Sequence, residues 1–314
     1  MLKQVLQWYS PAGQKARLSI LIFHRVLPKL DSLFPDEVHA QRFDEVCGWL
    51  KSWFNVLPLD QAVAHLNAGT LPARAACITF DDGYADNFHV AMPILQRHGL
   101  SATFFVATGF LNGGRMWNDT IIETIRGSTA AALDFSALGL GQYPIATIAE
   151  KQAAISTLVG QIKYWPVAAR IAVTEQLSQL ARVELPQDLM MTAQEVKAMR
   201  QAGMQIGAHT VSHPILARLT DEQARQEIAA SKTYLEQLLG EPVGLFAYPN
   251  GKPGEDYSPQ TVEVVRSLGF DAAVSTEWGA SRMGSDLLQI KRFTPWDQTR
   301  LQFGVRMVAN LYNA

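Results

Sequence analysis

Ala76-Cys77-Ile78-Thr79-Phe80-Asp81-Asp82-Gly83 is a short apolar run that stops abruptly on two acids and a glycine. A run of this length without polar alternation, closed by a turn signal, reads as a strand covered on both faces, the kind found in parallel sheets. The same pattern recurs on both sides of it. Strand-like runs fall at 18–23, 54–57, 103–107, 204–208, 243–247, 272–275 and 288–290. Helical patterns lie between them. The one at 85–97 ends at Gly99, and the one at 261–268 ends at Gly269. Thr220 and Gln223 form a capping box for a third, which stops at Gly240. Strand–helix alternation repeated up to eight times specifies α/β with a parallel sheet. The count favours a (β/α) barrel, incomplete or distorted, over the alternative of a doubly wound open sheet.

One stretch breaks the rhythm. Residues 112–194 hold helix-like segments at 119–126, 148–161 and 167–182 but no convincing strand. We read this as a mainly helical insertion within one domain spanning 1–314. Such excursions usually lie over one mouth of the sheet and shape the substrate site, which makes Trp117 and Asn118 candidates for substrate contact.

The bulk properties narrow the function. With 314 residues, 48% hydrophobic and 18% charged, the chain can bury a sizeable core. A net charge of −2 argues against a protein that grips nucleic acid. Cys47 and Cys77 each sit in an apolar run and read as core residues, not as a disulfide or a metal pair. The first apolar run, 18–23, is too short for a signal core or a membrane span, so the expectation is a cytoplasmic protein. The terminal helical segments 2–9 and 301–312 are candidates for peripheral contact with a membrane surface.

What ends each strand is more informative. The runs lead into His24; Asp81-Asp82-Gly83; His209, with His213 four residues on; Tyr248-Pro249-Asn250-Gly251; Thr276-Glu277-Trp278; and Lys291-Arg292. In a parallel barrel these C-terminal ends gather on one face, where active sites are built, and core packing gives no reason for polar residues there. At a strand end Gly83 lets both acids turn into one pocket, one to bind a metal and the other to act as base. Alone, Asp-Gly would be an ordinary surface turn. His209 and His213 have a spacing common among zinc ligands, although Pro214 places His213 on a loop. Two imidazoles plus Asp82 make a three-ligand site with an open position for water, the pattern of catalytic zinc. The backbone N–H groups of 246–251 can face a reacting carbonyl. His39, His65, His89 and His98 fall in loop or helix patterns and read as surface or packing residues.

These residues resemble the polysaccharide deacetylase family, carbohydrate esterase family 4 with its NodB homology domain. The resemblance runs from about Leu18 to Trp296 outside the insertion. Thr79-Phe80-Asp81-Asp82-Gly83 looks like the first family motif, His209-Thr210-Val211-Ser212-His213 like the second, and 246–251 like the third. The resemblance implies a distorted (β/α)7 barrel and a divalent metal, usually Zn2+, with Co2+, Ni2+ or Mn2+ as alternatives. It implies Asp82, His209 and His213 as metal ligands and Asp81 as general base. A backbone N–H near Tyr248–Asn250 would hold the oxyanion, and Tyr248, Pro249, Asn250, Trp278 and Trp117 would meet substrate. Two departures matter. Ala247 stands where many members carry an arginine, a charge that Arg292 can supply to orient Asp81. No histidine follows His213, which removes the family's common C-terminal general acid. Ile20-Leu21-Ile22-Phe23-His24-Arg25-Val26 looks like the opening segment of the poly-N-acetylglucosamine deacetylases and nominates His24 as the acid. Glu277 is the rival, but a carboxyl needs a raised pKa to hold a proton near neutrality.

The resemblance thus implies a hydrolase that removes N-acetyl groups from an amino sugar of a bacterial-type polysaccharide or glycan precursor. One alternative is the same chemistry on another N-acyl substrate, an N-formyl sugar or a cyclic amide. A non-catalytic carbohydrate-binding barrel is the other, and it would need Asp82 but not Asp81.

Overall fold

The computed structural model describes residues 2–314. Its strands are β1 Arg17–Phe23, β2 Asn55–Val56, β3 Ala75–Phe80, β4 Thr103–Val106, β5 Ala132–Asp134, β6 Gln142–Pro144, β7 Gln205–Ala208, β8 Leu245–Ala247, β9 Ala272–Trp278, β10 Ser281–Arg282 and β11 Ile290–Arg292. Its α-helices are α1 Leu2–Tyr9, α2 Ala40–Trp53, α3 Leu59–Ala68, α4 Met92–His98, α5 Trp117–Gly127, α6 Ile148–Ile162, α7 Val167–Ala181, α8 Ala193–Gln201, α9 Asp221–Leu239, α10 Pro259–Ser267 and α11 Arg300–Tyr312. They form two compact units. One comprises the residues up to Lys29, Val38–Leu111 and Met191–Ala314, and the other comprises Leu30–Glu37 and Asn112–Met190.

The first unit is an α/β barrel. Strands β1, β3, β4, β7, β8, β9 and β11 pair in that order, all parallel. The sheet nearly closes on itself. At the seam between β1 and β11, the Ile22 N–H donates to Phe293 O (3.0 Å) and the Phe293 N–H to Ile20 O (2.7 Å). This is the distorted (β/α)7 barrel expected above. β2 adds a short parallel edge to β3, and β10 an antiparallel one to β1. Six of the eight strand-like runs are barrel strands, 54–57 holds only the two-residue edge β2, and 288–290 meets β11 only at Ile290; β10 has no counterpart in the sequence reading.

Alternation along the strands splits the core in two. Leu18, Ile20, Ala75, Cys77, Phe105, Leu245, Ala247, Val274 and Ile290 form one buried cluster, the barrel interior. Their neighbours Leu21, Phe23, Ile78, Phe80, Phe104, Val106 and Phe246 belong to another, between the strands and the helices. There the rings of Phe80 and Phe104 stack at 4.8 Å. Both cysteines are buried and free, in keeping with their reading as core residues. Parity then fixes the mouth. β3 alternates inward through Ala75, Cys77 and Thr79, so Asp81 follows them inward. β11 sends Arg292 the same way as Ile290.

The second unit has its own core, in which Ile121, Ile125, Leu133, Phe135, Ile155, Leu158 and Leu177 pack together. It is mostly helical. β5 and β6 nevertheless pair antiparallel, Leu133 opposite Tyr143, in a stretch whose sequence shows no convincing strand pattern. Three-residue strands, one ending on Pro144, carry too little pattern to be read. No helix among the described residues is long and apolar enough to cross a membrane.

Candidate active site

The two histidines and Asp82 meet at the barrel mouth. Asp82 Oδ1 lies 3.4 Å from His209 Nε2 and 3.5 Å from His213 Nε2. It is buried and has no hydrogen-bond partner among the described residues. A buried carboxylate oxygen left in that state is costly unless something else satisfies it. One ligand atom from each of the three residues lies within 4.8 Å of the others, and a cation among them would supply the missing partner. The residues present fit a divalent metal.

The surroundings orient the donors. His209 Nδ1 donates to Ala247 O at 2.7 Å, which leaves Nε2 facing Asp82; burial opposes the imidazolium, but Asp82 and Asp81 raise its pKa above the usual value. Burial pushes the His213 imidazole down to about 4 against the pull of Asp82, so it is neutral, as a ligand must be, at ordinary pH. Burial disfavours the Asp82 charge, but His209, His213 and His24 hold its carboxyl below the usual range. The loop between the histidines is fixed from outside. Glu227 on α9 accepts hydrogen bonds from the N–H groups of Val211 and Ser212, both 2.9 Å, and from the Ser212 hydroxyl at 2.6 Å. The His213 N–H donates to Thr210 Oγ1 at 3.2 Å. Gly109 donates to Val211 O, and a Cβ there would stand 2.7 Å from that oxygen.

Strain collects in these same loops. Seven described non-glycine residues have positive φ, and four belong to the three motifs: Asp82 at 77°, Thr210 at 64°, His213 at 50° and Asn250 at 58°. This region is uncommon for non-glycine residues, least so for Asn, Asp and His, and such residues cluster at functional sites.

Asp81 is held by a buried arginine fork. Arg292 Nη1 and Nη2 each donate to one carboxylate oxygen at 2.7 Å, while Nε donates to Ser275 O at 2.8 Å. Burial opposes the Asp81 charge, and the Arg292 guanidinium, helped by His209 and His24, holds the carboxyl below the usual range. Asp81 is therefore an oriented carboxylate, available to accept a proton. β1 and β3 run in register, Phe23 beside Phe80, and the Asp81 N–H donates to Phe23 O at 2.9 Å. His24 and Asp81 thus leave neighbouring strands at one height. The His24 imidazole is exposed and acts electrostatically on Asp81, Asp82 and His213.

The remaining candidates are less uniform. Tyr248 is withdrawn from substrate. Its ring is fully buried and stacks 3.9 Å from Tyr257, its hydroxyl donates to Leu288 O, and its N–H donates to Val274 O. Pro249 is buried; Asn250 beside it is partly exposed, and its N–H has no partner among the described residues. Trp278 ends β9 with its ring exposed. Glu277, the rival acid, is exposed and paired with Lys291 at 2.9 Å. Trp117 belongs to the second unit, where the Arg170 guanidinium covers its ring at 4.8 Å. His65, His89 and His98 have local partners in Thr70, Glu195 and Asp44. Glu227 is the participant that sequence reading missed, since an acid on a polar helix face carries no local signal.

Comparison with known proteins points one way. The family model for polysaccharide deacetylase matches residues 68–130 and 143–273, more than half of the chain. YxkH of Bacillus subtilis (strain 168), assigned to the polysaccharide deacetylases, is 22% identical over 279 residues, 88% of this chain and 71% of its own. Among solved structures, the Streptococcus pyogenes deacetylase PplD, in complex with acetate, matches with a TM-score of 0.63 at 20% identity, over 93% of this chain and 98% of its own. IcaB from Ammonifex degensii matches with a TM-score of 0.63 at 18% identity, over 95% of this chain and 98% of its own. At these identities the two structures speak for the fold. The family-model match goes further, and by it the chain belongs to the polysaccharide deacetylase family.

Proposed function

We propose that this deacetylase-family protein is a metal-dependent hydrolase that removes N-acetyl groups from an amino sugar in a polysaccharide or glycan precursor. The observation that carries the reading is the unpartnered Asp82 Oδ1 facing two imidazole Nε2 atoms, beside an acid clamped by arginine. Asp82, His209 and His213 would hold the ion. Zinc would suit two imidazoles and a carboxylate, and the 3.4 and 3.5 Å separations of Asp82 Oδ1 from the two Nε2 atoms are short enough for one ion to share them. When bound, the metal supplies a Lewis acid that polarises the acyl carbonyl and lowers the pKa of water.

The protein's own groups do the rest. Asp81 takes the proton of the attacking water, and Arg292 keeps that carboxylate charged and aimed. His24 gives a proton to the departing amine, which cannot leave as an amide anion. The Asn250 N–H is the oxyanion donor, because the Tyr248 N–H is engaged with Val274 and proline has none. Asn250 and the exposed Trp278 would meet the sugar.

Metal analysis and acetate release from an N-acetylated amino-sugar oligomer test this reading. Asp82→Ala, His209→Ala and His213→Ala should each lose the metal and most activity with the fold intact. Asp81→Asn should keep the metal while turnover falls by roughly 10²–10⁴-fold. Full occupancy in the three ligand variants, or metal loss with Asp81→Asn, would overturn the assignment. Release of formate in place of acetate would redirect the substrate to N-formyl sugars.

A further inference from the structure

The two terminal helices present a face that the deacetylase site does not use. On α11, Leu301, Val305 and Tyr312 recur at helical spacing on the face that solvent would normally make polar. Leu301 is 74% and Tyr312 71% exposed, and Val305 is exposed between them. α1 packs alongside. Leu2 lies against Gly304, and the rings of Tyr9 and Tyr312 meet edge-on at 6.3 Å. On α1 Val5 is exposed and Trp8 is 80% exposed, its ring 5.5 Å from that of Tyr9. Apolar exposure on two adjacent helices marks an interaction surface, not scattered surface residues.

Charge identifies the partner. α1 and α11 carry Lys3, Arg300 and Arg306 and not one acidic residue, in a chain with more acids than bases. Arg306 is paired with Asp297, whereas Lys3 is exposed and Arg300, also exposed, lies over the Trp53 ring at 4.8 Å without an acidic partner among the described residues. Apolar and aromatic side chains and cations on two helices that carry no carboxylate of their own match a helix pair lying in the interface of an anionic bilayer. A second copy of the chain fits poorly. A twofold interface sets the same patch against itself, and α1 and α11 hold no acidic residue to receive Lys3 and Arg300 of the other copy. We infer that the α1–α11 face docks the protein on anionic lipid surfaces through Trp8, Leu301, Val305 and Tyr312, with Lys3 and Arg300 facing the headgroups.

Vesicle flotation of the full chain tests this without any enzymatic readout. Binding to phosphatidylcholine vesicles containing phosphatidylglycerol should be at least tenfold tighter than to phosphatidylcholine alone, and should weaken as salt is raised. The triple variant Trp8→Ser/Leu301→Ser/Val305→Ser should bind at least tenfold more weakly with unchanged circular dichroism. Should that variant fail to fold, Lys3→Glu, at an exposed position, should reduce the preference for anionic lipid. Equal binding to both vesicle types, or variants that bind like wild type, would overturn the inference. So would light scattering that gives a dimer for the wild type and a monomer for the triple variant.

Discussion

Arg292 and Asp81 form a forked ion pair that is closed to solvent, and its worth lies in each partner's need of the other. Replacing Arg292 with Met strands a buried carboxylate and should cost about 3–5 kcal/mol of stability, read from urea denaturation at neutral pH. Arg292→Lys keeps a charge but loses the fork, so it should fall between that variant and wild type. The effect should depend on pH in one direction. Asp81 titrates below its unfolded value of about 3.9, so its contribution is present above that pH and is lost as the pH falls through the lower folded value. The gap between wild type and Arg292→Met should therefore close below about pH 4. A gap that persists there would mean the arginine acts through packing alone. His24 calls for a different comparison. His24→Ala should lose amide hydrolysis and spare an activated ester whose leaving group needs no proton. Equal loss on both substrates would assign His24 a structural role.

The loop from His209 to His213 has almost no regular structure, and α9 supplies its order through Glu227. Glu227→Gln keeps the volume and weakens three charge-assisted hydrogen bonds. We expect unchanged circular dichroism and metal affinity lowered about 10–100-fold in chelator competition, the usual worth of a group that orients a ligand from behind. Unaltered affinity would show that Thr210 alone suffices. The contrast between this loop and its helix shows what the sequence made legible. Thr220 and Gln223 announced α9, and the box is present with Gly240 as its left-handed cap. Strand ends announced His24, Asp82, His209 and Arg292, because a polar residue just past a buried run has no packing reason to be there. Glu227 and the Tyr248 ring were not legible for the opposite reason. Their roles depend on partners far along the chain, and locally they look like an ordinary polar helix position and an ordinary turn.

Across the whole barrel, the proposed metal ligands sit on loops while the core lies in and around the strands. Removing the metal should therefore leave far-UV circular dichroism intact. Adding zinc back at about 100 times its Kd should raise stability by about 2.7 kcal/mol, seen as a higher Tm. A stripped protein that unfolds would place the ion in the folding nucleus instead. The left-handed backbone at Asp82, Thr210, His213 and Asn250 has a consequence of its own. Each such residue holds about 1–3 kcal/mol that the barrel must supply. If heat resistance alone were selected, with no demand for turnover, replacements should gather first at these four positions, glycine foremost. The survivors would be sturdier and inert, so in this lineage fragility is the signature of a working enzyme.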